Sequence, residues 1–202
     1  MFRRTVALAG VTALALAAGA SAASVRVRVE GKTRTIFGSA EPRLAAANAL
    51  EALDHAAAAG EFYFHVTVTG FGPYVDQVGL YPGSGTSGWV YKLNGVSPPV
   101  GADQAVLHDG DRVLWYYATF GESGGPPTLL LERVGKSSCY RVYKQNDAGA
   151  RTAAVGAVLH VGSRRVVQTQ GATGAAAGCV GKHRGLLVRA TLAGAVRSNA
   201  LP

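Results

Sequence analysis

Between residues 25 and 30 the chain reads Val-Arg-Val-Arg-Val-Glu. This period of two predicts a strand with its valines turned inward and Arg26, Arg28 and Glu30 on a solvated face. Gly31-Lys32 predicts a turn and Thr33 to Phe37 a returning strand, which together make an opening hairpin. The period then changes. Pro42 suits the first turn of a helix, where a missing N–H costs nothing. The alanine- and leucine-rich stretch 44–59 continues that helix, with Ala46, Leu50, Leu53 and Ala57 on one stripe facing a sheet and Gly60 as C-cap. Asn48, Glu51, Asp54 and His55 fall on or near its polar face. From Glu61 to Thr69 strict alternation returns: Phe62, Phe64, Val66 and Val68 form one face, with Tyr63 and His65 on the other. Gly70-Phe71-Gly72-Pro73 predicts a turn and Tyr74 to Leu80 a further strand.

The densest aromatic stretch runs from Gly88 to Gly121 and holds both tryptophans. Gly88 to Leu93 predicts a strand, and Asn94-Gly95 is a strong hairpin signal because both residues tolerate positive φ. Asp109-Gly110-Asp111 predicts a second tight turn, which launches the apolar run Arg112 to Phe120 as a central strand. Alternation places Trp89, Tyr91 and Leu93 on one face; it places Trp115 and Tyr117 together, opposite Leu114 and Tyr116. Large aromatics of this kind either fill a core or leave one set exposed as a stacking platform for a flat ligand or a sugar. Tyr91, Tyr116 and Tyr117 suit the exposed role better than Trp89 and Trp115, because a phenol tolerates a wet surface. With Asn94 they are the candidate ligand-binding residues.

The ordered string Gly88-Trp89, Tyr91, Leu93-Asn94-Gly95, Gly101-Ala102-Asp103, Leu107, Asp109-Gly110-Asp111 and Trp115-Tyr116 resembles the transcobalamin-type C-terminal domain, a largely bacterial family mostly of unknown function. The resemblance covers residues 24–121. It implies an α+β, β-grasp-like domain similar to soluble-ligand-binding β-grasp domains: one helix packed on a mixed or antiparallel sheet. It also implies cobalamin as a ligand, although nothing in the chain resembles the α/α barrel that supplies the opposite wall in transcobalamin. A partner protein would then complete the open face.

Glu122 to Pro127 (Glu-Ser-Gly-Gly-Pro-Pro) reads as a linker. Beyond it short strands are predicted at Leu129–Val134, Tyr140–Lys144, Val155–Val161, Arg164–Thr169, Gly185–Ala190 and Ala195–Ser198, as in a small antiparallel all-β sandwich at 128–202. The stretches 157–178 and 183–201, with Leu-x-Val-x-Ala-Thr at 186–191 and Val196-Arg197-Ser198, resemble bacterial Ig-like or carboxypeptidase-regulatory-like modules. Such modules usually act as spacers or adhesive domains.

Residues 1–23 read as a signal peptide: Arg3-Arg4, an apolar run from Val6 to Ala18 too short to span a bilayer, and Ala20-Ser21-Ala22 as a cleavage site. The mature product is expected to be exported and without a membrane span. The general secretory route fits the flanking residues better than the twin-arginine route. Two cysteines, Cys139 and Cys179, in an exported chain suggest one disulfide rather than a redox or metal pair, since neither the spacing nor a neighbouring histidine supports the latter.

The net charge of +8 falls to about +6 without Arg3 and Arg4. Lysines and arginines do not interleave with aromatics as a nucleic-acid platform would, so no nucleic-acid partner is expected. His108, Asp109 and Asp111 cluster in sequence but lack metal-site spacing, and no metal is expected. Gly83-x-Gly85-x-x-Gly88 is followed by a predicted strand rather than the helix a dinucleotide fingerprint needs. There is no Gly-x-Ser-x-Gly elbow, no paired carboxylates stand out and the five histidines are scattered. The chain is therefore read as a secreted, non-catalytic ligand-binding protein without a resident cofactor. Its aromatic domain would take cobalamin or another small molecule. The alternative is a structural or adhesive cell-envelope module binding glycan or protein.

Overall fold

A computed structural model describes residues 22–122, 124–171 and 176–202. The expected signal segment up to residue 21, Ser123 of the expected linker, and residues 172–175 lie outside the described residues. Chain order is β1 (Ala23–Glu30), β2 (Thr35–Phe37), β3 (Arg43–Ala46), α1 (Ala49–Gly60), β4 (Phe64–Thr69), β5 (Gly72–Val78), β6 (Tyr81–Pro82), β7 (Ser87–Leu93) and β8 (Arg112–Thr119). The second half contributes β9 (Thr128–Arg133), β10 (Cys139–Gln145), β11 (Arg151–Ala153), β12 (Val158–Val161), β13 (Arg164–Gln168), β14 (Ala176–Cys179), β15 (Val188–Thr191) and β16 (Ala200–Leu201).

The described residues thus form a β-rich fold of several sheets with a single helix, and this corrects the α+β β-grasp-like expectation for the fold class. Two features explain the difference. First, the helix is short. Residues 43–46 are not its first turn but strand β3, which pairs antiparallel with β1. The helix begins only at Ala49, where Asn48 Oδ1 accepts from Glu51 N (2.9 Å) and Glu51 Oε2 reaches back to Ala47 N (2.7 Å). This is a variant of the capping box, and its Asn-x-x-Glu spelling outranks Pro42 as a start signal. Second, β4, β5 and β6 form a separate three-stranded sheet instead of joining the sheet beneath the helix.

The main sheet has the order β2-β1-β8-β7, with β3 on the same edge of β1 as β2. β1 and β8 run parallel at its centre and β7 is an edge. On one face Val25, Val27, Val29, Trp89 and Trp115 pack against Ala49, Ala52, Leu53 and Ala56 of the helix. Gly60 closes this packing through size, not cap geometry. A Cβ there would come within 2.7 Å of the Phe37 ring, and the left-handed cap residue is Glu61 (φ 50°).

In the second half, two four-stranded sheets share a core of Leu129, Leu131, Tyr140, Val142, Leu159, Val161, Val188 and Ala190. Cys139 and Cys179 stand directly opposite each other on β10 and β14 and form a disulfide. The expected strand at 195–198 is not one. Its polar groups are committed elsewhere: Ser198 Oγ accepts from Ala190 N (2.8 Å), and the Asn199 amide takes both backbone groups of Leu131, a side chain standing where a strand partner would. Among the described residues no helix is long and apolar enough to cross a membrane.

The other face of the main sheet is not solvated. Arg28 is 3% and Glu30 0% exposed, which overturns the outward reading of β1's charges. The second half covers them. Arg197 Nε donates to Glu30 Oε2 (2.8 Å), Thr35 Oγ1 donates to both Glu30 oxygens (3.0 Å each), and Arg28 donates to Glu30 Oε1 (3.2 Å) and to the Arg197 carbonyl (2.5 Å). Tyr116, Ala118 and Val196 make an apolar patch in the same seam, and Ala200 N donates to Ser39 O (2.7 Å).

Two stability outcomes follow. Glu30→Ala leaves Arg197 in the seam without its carboxylate and Arg28 with only one of two, and is expected to cost about 3–5 kcal/mol in urea unfolding. Replacing Cys139 and Cys179 together by serine releases a cross-link spanning 40 residues. The loop-entropy model predicts a loss of about 3–4 kcal/mol, read by the same denaturation with the wild type kept oxidised.

Candidate functional site

The sequence candidates separate into three roles once their partners are known. Trp89 and Trp115 are core residues: their indole N–H groups donate to Tyr81 O (2.8 Å) and Ala49 O (2.9 Å), so the one polar atom of each ring is satisfied inside the protein. Asn94 belongs to the turn. It adopts φ 53°, its Nδ2 donates to Asp111 Oδ1 (2.7 Å) and its Oδ1 accepts from Arg112 N (2.9 Å), which ties the Asn94-Gly95 turn to the start of β8. Tyr116 is 1% exposed and packed in the seam, a correction to its expected surface role. Burial first, and Asp147 second, push its phenol well above the ordinary range, while a hydrogen bond with Ser97 opposes them.

Tyr91 and Tyr117 stay half-buried on the helix-side face. Tyr91 packs 5.3 Å from the Trp115 ring and donates to Val100 O (2.8 Å); Tyr117 lies edge-on to Trp89 at 5.7 Å and donates to Pro82 O (3.2 Å). Burial, followed by the nearby Asp103, raises the Tyr91 phenol above its usual pKa.

Four of the six candidates, Trp89, Tyr91, Trp115 and Tyr116, border one apolar groove of about 330 Å³, together with Tyr74, Pro98 and Phe120. Tyr117 and Asn94 lie outside it. The groove runs along the open edge of β7. Register shows what that edge offers. Asn94 N donates to Arg112 O (2.9 Å) and Phe120 N to Thr86 O (2.8 Å), so the even-numbered residues from 86 to 94 aim their backbone at β8. The N–H and C=O groups of Trp89 and Tyr91 therefore point away from β8, where no strand among the described residues pairs with them. An aromatic wall and two outward backbone pairs together make a site that can stack a flat ligand and hydrogen-bond its polar groups.

Sequence reasoning missed Tyr74, Phe120, Pro98 and Asp147 as groove residues. Tyr74 carried a weak signal, as an aromatic among the polar positions of an expected strand. Asp147 carried none, because it comes from the second half through a turn strapped to the groove by Ser97 N→Asp147 O (2.8 Å) and Ser97 Oγ→Asp147 Oδ1 (3.3 Å). Lys92 was also unforeseen. It is fully buried, donating to Asn146 O (2.8 Å) and facing Gln145 O, Asp147 Oδ1 (each 3.3 Å) and Thr128 Oγ1 (3.4 Å).

The remaining chemical suggestions resolve structurally. Asp109 Oδ1 accepts from Ser24 N (2.7 Å) and Asp111 Oδ2 from His108 N (2.8 Å), so both carboxylates serve the turn. The glycine string at 83–88 leads into strand β7.

The fold and groove define a β-rich protein with an edge-strand aromatic cleft. Residues 46–119, from the end of β3 through β8, match the model of a domain of unknown function, DUF4430. This agrees with the expected bacterial domain of unknown function and assigns no ligand. No curated protein matches the chain.

Burial, the larger cause, lowers the Lys92 pKa below its ordinary 10.5, and Asp147 acts in the opposite direction. The folded chain then binds fewer protons at Lys92 than the unfolded chain, so stability rises with pH through the window that ends at 10.5. Chemical denaturation from about pH 8 to 10 is expected to show this rise, and Lys92→Met to flatten it. An equal slope in both proteins would remove the buried cation as its source.

Proposed function

We propose that this is an exported, non-catalytic ligand-binding protein whose groove beside β7 receives a small, flat or cyclic molecule. One observation carries the reading: aromatic side chains and the outward backbone groups of Trp89 and Tyr91 converge on the same cleft of about 330 Å³. The disulfide is compatible with an extracytoplasmic location. The transcobalamin-like resemblance of residues 24–121 makes a corrinoid the ligand to try first. A corrin with its substituents is much larger than this cleft, so the groove would grip one edge and a second chain would supply the other wall.

A second reading, the envelope adhesion module, is favoured by the β4–β5 hairpin. Its tip exposes Val68 (82%) and Phe71 (fully), apolar side chains presented to solvent at one end of the small sheet. Such residues suit a glycan or protein surface.

Calorimetric titration with cobalamin tests the first reading. Saturable heat is expected, weakened at least about tenfold, or about 1.4 kcal/mol, by Tyr74→Ala or Tyr91→Ala with circular dichroism unchanged. No heat at high cobalamin concentration would sink autonomous corrinoid binding, and envelope glycans would then be titrated against the wild type and Phe71→Ser.

A further inference from the structure

A second cavity, of about 230 Å³, opens in the seam between the two halves, on the side of the main sheet away from the helix. Three guanidiniums line it: Arg28 from β1, Arg112 from β8 and Arg151 from β11. Only one carboxylate does, Glu41. Glu41 is already shared, with Oε2 accepting from Arg112 at 2.9 and 2.6 Å and Oε1 lying 3.3 Å from Arg28 Nε. Arg151 is held at the rim by Glu132 (2.8 Å) and is half exposed.

A further observation indicates that the cavity wants an acceptor. The Arg28 Nε–H is buried without a hydrogen bond. Gln145 is 7% exposed and also lines the cavity. A buried polar group left unpaired costs about 1–3 kcal/mol, so such groups are normally satisfied. Gly95 lets the Gln145 amide pack into the cavity wall: a Cβ there would sit 2.6 Å from Gln145 Nε2. The rest of the wall is apolar, from Leu114, Leu129 and Leu130.

The geometry points to a binding site for a small organic oxyanion in this seam. Its charged oxygens would take the guanidinium N–H groups of Arg112 and Arg151 and the Gln145 amide, where charge-assisted, forked hydrogen bonds are strongest. Its short apolar body would lie against the leucines. Because the walls come from both halves, the bound anion would also hold them together.

Calorimetric titration of the purified chain with butyrate and, separately, with inorganic phosphate, in low-salt chloride buffer, tests the site. Saturable binding of about one butyrate per chain is expected, together with a rise in unfolding temperature. Arg151→Gln and Gln145→Leu should each weaken it at least about tenfold, whereas Tyr91→Ala, in the separate groove, should leave it unchanged. Arg151 is half exposed, so its substitution can be read without loss of the fold. Binding of phosphate but not butyrate would overturn the organic part of the assignment and leave a plain oxyanion site. Absence of saturable heat with either probe, or binding indifferent to both seam substitutions, would overturn the site altogether. Neither result bears on the groove beside β7.

Discussion

The arrangement of the two halves depends on one buried carboxylate. Glu30 sits at the end of β1 with no exposure, and its oxygens accept from Arg28 and Thr35 in its own half and from Arg197 in the other. A carboxylate taken out of water is costly unless it is paired and hydrogen-bonded. Here the partners that satisfy it come from both sides of the seam, so separating the halves would strip Arg197 of its carboxylate and Glu30 of one of its donors. Hydrophobic contact through Tyr116, Ala118 and Val196 adds area, whereas the ionic contacts set the register of one half on the other.

That constraint shapes the groove as well. Asp147 reaches it only because the second half is fixed against the sheet, and the same turn supplies the carbonyls that accept from Lys92. The buried ammonium lies 5.9 Å above the Tyr116 ring, a cation–π contact on the hidden face of β7 and β8. The two faces of this strand pair therefore do different things. The odd-numbered aromatics support the helix-side core and the open cleft, whereas Lys92, Tyr116 and Ala118 are buried on the seam side, with Tyr116 also bordering the cleft.

Much of this was legible in local pattern. The alternation of β1, β7 and β8 and the Asn94-Gly95 and Asp109-Gly110-Asp111 turns follow from spacing that acts over a few residues, and the cross-link follows from there being only two cysteines. The helix start was also written locally, in Asn48-x-x-Glu51, but Pro42 gave a competing signal. What alternation could not tell was which face is wet. Arg28 and Glu30 read as solvent-facing because charged side chains usually are; both are buried, as is Lys92, because residues more than fifty positions away cover them.

By itself, then, the sequence determined the strands β1, β7 and β8 with the turns beside them, the aromatic composition of β7 and β8, and the pairing of two cysteines. These depend on side-chain period, on backbone conformations that only certain residues tolerate, and on the tendency of two cysteines without metal-site spacing to pair. Only the tertiary structure decided that β4 to β6 form their own sheet, that Trp89 and Tyr91 turn their backbone groups outward along an unpaired edge, and that charges on the sheet's other face are sealed beneath the second half. Those outcomes depend on which segments meet across long separations, and burial, hydrogen-bond satisfaction and charge pairing are properties of that meeting rather than of any one segment.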